Sequence, residues 1–246
     1  MSLSTRAQSM IIPSATVILL HKDLQNTNFR VLLLKRNSRL ATHGGSWVFP
    51  GGKFDHSDYQ VHGFDLKGTE SQKLNNSEHL LVAKTAAARE VQEEANLKFN
   101  TNSLRLCSTW LTPESMPKRF NAYFFIAESD SEQVTIDGSE IHDYQWLSPQ
   151  DALHNQKIGK ITLPPPTFIS LSYLVQYRTI PDAIEKMSQS PMHFRPKLVS
   201  LDGGFCSLYE EDAAYLNSDL NTKGPRHRLL FQQDQYTYLK ESVESP

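Results

Sequence analysis

Cysteine is nearly absent from this chain. Its 246 residues include only Cys107 and Cys206, too few for a disulfide framework and without the spacing of a metal site. Long hydrophobic runs are missing too. Stretches such as residues 15–20 and 123–127 are strand-sized, well short of the roughly 18 apolar residues a membrane helix needs. Neither charge sign is in excess: Lys plus Arg total 25 and Asp plus Glu 27, a formal charge of −2. That balance offers no broad basic surface of the kind nucleic acid phosphates select. No charged-then-apolar secretory leader opens the chain. Residues 1–22 carry Arg6, several serines and no acid, but they turn strand-like almost at once. The last residues, Glu244-Ser245-Pro246, are not a peroxisomal address. The expectation is a soluble intracellular protein, cytoplasmic by default with mitochondrial import as the alternative, that engages neither membrane nor nucleic acid.

The 39% apolar share is enough for a buried core at this length. Six of eleven glycines form the pairs Gly44-Gly45, Gly51-Gly52 and Gly203-Gly204, while nine of thirteen prolines fall at or after Pro149. Residues 16–20 and 30–35 are β-branched or aliphatic runs joined by a polar turn at 25–28, the pattern of a hairpin. Residues 104–111, 119–127 and 141–147 read as further strands. Between them, residues 78–95 form one helix with Asn76 or Ser77 as cap and Asn96 as terminator. Ser148-Pro149 starts a short helix, and Pro164-Pro165-Pro166 precedes another at 167–177. Beyond residue 190 no period is evident, although 228–231 has strand character. The expected fold class is α+β with a C-terminal elaboration.

The chemistry is concentrated in Arg89-Glu90-Val91-Gln92-Glu93-Glu94-Ala95-Asn96-Leu97. On a helix Glu90, Glu93 and Glu94 stand at i, i+3 and i+4 and leave from one face. Like charges at that spacing repel, so the run is either a solvated acidic face or a ligand set. Three hard oxygen donors suit Mg²⁺ or Mn²⁺. Arg89, four residues before Glu93, can hold a carboxylate in place. Upstream, Ser46-Trp47-Val48-Phe49-Pro50 runs into a Gly51-Gly52-Lys53 loop, where glycine lets backbone approach a ligand closely.

Together these segments resemble the Nudix box, G-x5-E-x7-R-E-U-x-E-E-x-G-U, with Arg89, Glu90, Val91, Glu93, Glu94 and Leu97 at their positions. Asn96 replaces the last glycine. Between Gly52 and Arg89 stand 36 residues where the pattern has 13, an insertion of 23 at about residues 55–77. Asp58 falls where the early Glu would stand and can take over its pairing with Arg. An interrupted box is similar to the coenzyme A diphosphatase-like branch of the superfamily. So are Leu111-Thr112-Pro113, Lys118-Arg119-Phe120 before Tyr123-Phe124-Phe125, Trp146-Leu147-Ser148-Pro149, Leu163-Pro164-Pro165-Pro166 and Arg226-His227-Arg228.

The resemblance implies a Nudix-type α/β/α sandwich with a mixed sheet over residues 10–190, and an extension at 191–246 packed on it. It also implies a metal-dependent diphosphatase, with coenzyme A or acyl-coenzyme A giving 3′,5′-ADP and (acyl)phosphopantetheine. The alternatives are a hydrolase of ADP-ribose or dinucleotides, and a catalytically silent nucleotide sensor. Glu90, Glu93 and Glu94 would hold Mg²⁺ or Mn²⁺, with the Gly52 carbonyl as a further ligand. Arg89, Glu93 and Glu140 are the catalytic candidates, Glu140 being a base outside the box with Asp137 and His142 behind it. Gly51, Gly52 and Arg119 are the substrate-binding candidates, though Arg119 reads equally as a strand-edge charge. The expected partner is a small nucleotide, and the chain is expected to be a monomer or homodimer.

Overall fold

The computed structural model describes residues 10–23, 28–40, 42–64, 74–98 and 100–241. Most of the turn expected at 25–28, Arg6, and residues 65–73 of the insertion lie outside them. The strands are β1 (Ile11–Lys22), β2 (Phe29–Arg36), β3 (Trp47–Val48), β4 (Gly51–Lys53), β5 (Arg105–Leu111), β6 (Arg119–Glu128), β7 (Ile141–Leu147), β8 (Met192–Phe194), β9 (Lys197–Leu201), β10 (Gly204–Leu208), β11 (His227–Gln232) and β12 (Gln235–Lys240). The helices are α1 (His56–Gln60), α2 (Asn76–Ala95), α3 (Pro149–Lys157), α4 (Pro165–Leu174) and α5 (Ile180–Gln189). Among the described residues no helix is long and apolar enough to cross a membrane.

The first sheet is eight-stranded, with β3-β2-β1-β6-β5-β8 as its main path. It is mixed: β1 runs parallel to β6 and β5 parallel to β8, the other pairs being antiparallel. β1 is buried on both faces and its side chains alternate between two cores. Ala15, Val17 and Leu19 pack with Ala83, Ala86, Ala87 and Val91 of α2. Ile18 and Leu20 point the other way, into the cluster with Ile169, Leu171 and Leu174 of α4 and Ala183 and Met187 of α5. Helices therefore cover both faces, an α/β/α sandwich.

The helix boundaries follow from local chemistry. Asn75, one residue before the expected caps, accepts hydrogen bonds from the amides of Ser77 and Glu78 at 3.0 Å, and Glu78 returns the bond to the Asn75 amide at 2.8 Å. Asn96 closes α2 in the left-handed conformation (φ 53°). Ser148 caps α3 as the Ser-Pro pair suggests.

Several expectations need correction. The Gly51-Gly52 loop is a strand. β2 pairs with β1 only at Leu20–Lys22, so the two strands splay, and β4 fills the gap by pairing Ala15 with Gly52 and Thr16 with Gly51. The helix after the proline run stops at Leu174, and α5 follows it. The region past residue 190, where no period was evident, holds β8 and a separate four-stranded antiparallel sheet in the order β12-β11-β10-β9. This sheet rests on α4 through Phe168 against Tyr236 (ring centroids 4.8 Å apart) and Tyr173 against Tyr238.

Candidate active site

The site forms where α2 crosses β4. The face of α2 that meets β1 is alanine, so the helix lies close to the sheet. One and two turns further on, Glu90 and Glu94 arrive beside two residues that have no side chains. The Gly51 amide donates to Glu94 Oε2 at 2.9 Å. A methyl group on Gly52 would overlap the Glu90 carboxylate, and one on Gly51 would overlap the Ala15 carbonyl oxygen of β1. Glycine is required at 51, where the clash is with backbone, while at 52 a side chain would displace the Glu90 carboxylate.

Arg89 organises the acids on its side of the helix. Its Nε and Nη2 grip the two oxygens of Asp58 at 3.0 Å each, a bidentate pair. Nη1 bonds Glu90 Oε1 and Glu93 Oε2, both at 2.9 Å, and Nη2 reaches the Lys53 carbonyl at 2.8 Å. Asp58 is 1% exposed, and its second task is to accept the Asp55 amide at the start of α1. The early acid of the box is thus supplied by α1, inside the insertion. Burial opposes the guanidinium charge, but the hydrogen bonds and charges of Asp58 and Glu90 outweigh it, and Arg89 is held well above its ordinary value.

Glu94 sits deeper, 5% exposed. Burial pushes its carboxyl up to about 8, aided by the charges of Glu90 and Glu140 and opposed by the Gly51 amide and Arg36. Burial also raises Glu90, against the pull of Arg89. Sequence reasoning passes over Arg36; its only signal is a cation ending an apolar strand. Its guanidinium lies 3.9 Å from Glu94 Oε1 and 3.6 Å from Glu140 Oε2. Glu140, on the turn before β7, is thereby brought to the same cluster.

Gly51, Gly52, Arg89, Glu90, Glu93, Glu94 and Glu140 therefore meet in one place. Arg119 does not join them. It pairs with Ile11, four residues before the Ala15–Gly52 pair, about 13 Å at strand rise, and its Nε bonds the Thr112 carbonyl at 3.2 Å.

The donor set fits a hard divalent cation by chemistry: every side-chain donor is a carboxylate, and two of them are disfavoured as charges where they stand. As the side chains are arranged, no three acid, His or Cys groups among the described residues are close enough to share an ion. Glu93 is turned toward Arg89 and its side chain is 57% exposed, so it must rotate to join Glu90 and Glu94.

Residues 78–164 match the NUDIX domain family. The chain is 28% identical over 132 residues to the acyl-coenzyme A diphosphatase NUDT19 of Xenopus laevis, a match covering 52% of this chain and 34% of that protein. It is 27% identical over 185 residues to a Caenorhabditis elegans protein provisionally named nudix hydrolase 7, covering 67% of this chain and 61% of that one. The chain thus spans less than two thirds of these relatives. In fold it is similar to a NUDIX hydrolase from Alicyclobacillus acidocaldarius, with a TM-score of 0.61 at 19% identity over 75% of this chain and all of that one. The interrupted box and the match at residues 78–164 liken this chain to the Nudix hydrolases, and its α/β/α sandwich has the fold of one of them.

Proposed function

We propose that this protein hydrolyses the diphosphate linkage of a nucleoside diphosphate derivative, with coenzyme A or an acyl-coenzyme A as the substrate. Water attacks one phosphorus, the bridging P–O bond breaks, and the products are 3′,5′-ADP and (acyl)phosphopantetheine. The observation that carries this reading is the surplus of acid at one seam. Glu90 and Glu94 press against the two glycines of β4, in positions where burial resists their charge. Such a cluster calls for a cation and leaves exposed backbone for a second ligand.

Glu90, Glu93 and Glu94 would hold Mg²⁺ or Mn²⁺. A bound divalent ion supplies neutralisation of the diphosphate charge, which is the main requirement of phosphoryl chemistry. The chain's own groups do the rest. Arg89, held by Asp58, orients Glu90 and bonds Glu93 in the position from which it would turn to the ion. Gly51 and Gly52 let β4 close against β1 and the Glu90 carboxylate. Glu140, beside Arg36, would accept the proton of the attacking water. Arg119 and Lys118, at the far end of β6, are the cations available to more distant phosphates of an extended substrate. The choice of coenzyme A rests on the NUDT19 relatives in Xenopus laevis and Homo sapiens, matched over 52% of this chain in each case.

The test is product analysis by mass spectrometry with coenzyme A, ADP-ribose and NADH, each with Mg²⁺ or Mn²⁺, for the wild type and Glu93→Gln. Release of 3′,5′-ADP from coenzyme A, lost in the variant, supports the proposal. Turnover of another diphosphate keeps the reaction and replaces the substrate. No turnover of any of them favours nucleotide sensing.

A further inference from the structure

Glu140 occupies an exposed turn, and an exposed carboxylate on a turn samples many positions unless its backbone is fixed. Here it is fixed from two sides. Asp137 collects the amides of the turn: its Oδ2 accepts from Ser139 N at 3.2 Å and Glu140 N at 2.9 Å, and its Oδ1 accepts from Ile141 N at 2.9 Å. The Ser139 hydroxyl donates to the same carboxylate. From the opposite side Asn37 takes the carbonyls. Its amide donates to Glu140 O at 2.8 Å and its Nδ2 to Ser139 O at 3.0 Å. Gly138, at φ 74°, makes the tight turn possible.

Asn37 directly follows Arg36, the residue that lies between Glu140 and Glu94. The β2–β7 ladder shifts register between Lys35 and Arg36, and such irregularities re-aim side chains. One dipeptide at the end of β2 therefore holds Glu140 by its main chain and by its charge. Asp137 has no charged partner among the described residues; its oxygens are spent on the turn. Those hydrogen bonds keep its carboxyl below the ordinary range although burial acts the other way.

We propose that Asp137 and Asn37 are positioning residues for Glu140, a two-sided clamp that sets its carboxylate beside Glu94. The inference rests on the reading of Glu140 as the proton acceptor.

The experiment uses the full chain with Mg²⁺ and the substrate found by product analysis. Asp137→Ala should lower kcat on the order of 10²-fold, the scale of a misplaced catalytic group, while KM stays within about twofold. Asp137→Asn, which keeps an acceptor oxygen for the Glu140 amide, should recover part of the loss. In a Glu140→Gln background, Asp137→Ala should add less than about twofold, because groups acting through one another are not additive. A full additional loss in that background, or wild-type kcat in Asp137→Ala, overturns the clamp. Wild-type kcat in Glu140→Gln instead overturns the assignment of Glu140, and the clamp with it. Hydrogen exchange provides a readout independent of turnover. The Glu140 and Ile141 amides should exchange slowly in the wild type and on the order of 10²-fold faster in Asp137→Ala. Unprotected exchange in the wild type also overturns the clamp.

Discussion

Two groups of charged side chains in this molecule are arranged in opposite ways. In the C-terminal sheet Asp212 is saturated. Its Oδ1 accepts from the Ala214 amide at 2.8 Å and Arg228 Nη2 at 2.6 Å, and its Oδ2 accepts from the His227 amide at 2.8 Å and Arg228 Nε at 2.7 Å. Burial alone would raise its carboxyl, but these donors lower it. At the α2–β4 seam, Asp55, Asp58, Glu90, Glu93, Glu94 and Glu140 share two arginines, Arg36 and Arg89. There Glu90 and Glu94 are raised. A balanced buried pair is a strut, whereas the unbalanced acid cluster is where we propose that a cation binds. The direction of the carboxyl shift separates the two.

The largest effect expected is on the strut. Asp212→Ala leaves the Arg228 charge buried without its partner and should cost about 3–5 kcal/mol of unfolding free energy, with kcat of the folded enzyme little changed. Denaturant unfolding measures this, and a loss below about 1 kcal/mol would remove the distinction between the regions. The seam should behave conversely. Glu90→Gln should lower kcat on the order of 10²–10³-fold while the metal-free protein keeps or gains stability, since a carboxylate strained by burial is removed. Steady-state kinetics beside thermal unfolding with a chelator reads both.

A smaller effect is expected at Asp58, which belongs partly to each kind. Asp58→Asn leaves Arg89 its bonds to Glu90, Glu93 and Lys53, and should reduce activity about 10-fold, as for groups that orient a metal ligand.

The smallest effect is a pH slope of opposite sign in the two regions. The carboxyl of Glu94 rises from 4.5 to about 8 on folding, so the folded state binds that proton more tightly. Its contribution is complete below about pH 4.5 and is lost as pH rises to 8. In chelator, the melting temperature should carry a component that falls from pH 5 to 8 and is absent in Glu94→Gln. Added Mn²⁺ should raise it more at pH 8 than at pH 6. His227 is lowered below 6.5, first by burial and against the pull of Glu211. Its contribution is present above that pH and is lost as pH falls below it. His227→Phe should flatten that acid limb, and an unchanged limb would assign it to another group.

Much of the first sheet is legible in sequence because its strands are buried on one or both faces and read as apolar runs between turn residues. α2 is legible from its caps and its alanine face. The strands past residue 190 are less so. In β9 and β12 half-buried and exposed positions alternate over five or six residues with Lys, Ser, Gln and Thr interleaved, too short for a period to stand out. α5 has a signal that is easily missed, Thr179 as cap and Pro181 in the first turn. At the site, Glu90, Glu93 and Glu94 follow from helical spacing alone. Arg36 does not, because nothing near it in the chain is acidic. Its partners come from α2 and from the turn before β7.

What the residue order settles here is local: which segments are strands, where α2 begins and ends, and which acids share its face. These depend on neighbours within a turn or two, where caps, alternation and i, i+4 geometry operate. The rest required the chain to close on itself. The splay of β1 and β2 turned a glycine pair into a strand, and packing of α2 on β1 pressed Glu90 and Glu94 against it. An insertion that interrupts the box placed Asp58 on Arg89, and a turn more than a hundred residues beyond β2 came to lie beside Arg36. Burial and long-range pairing decide which carboxylates are satisfied and which keep a surplus of negative charge, and neither is a property of any single segment.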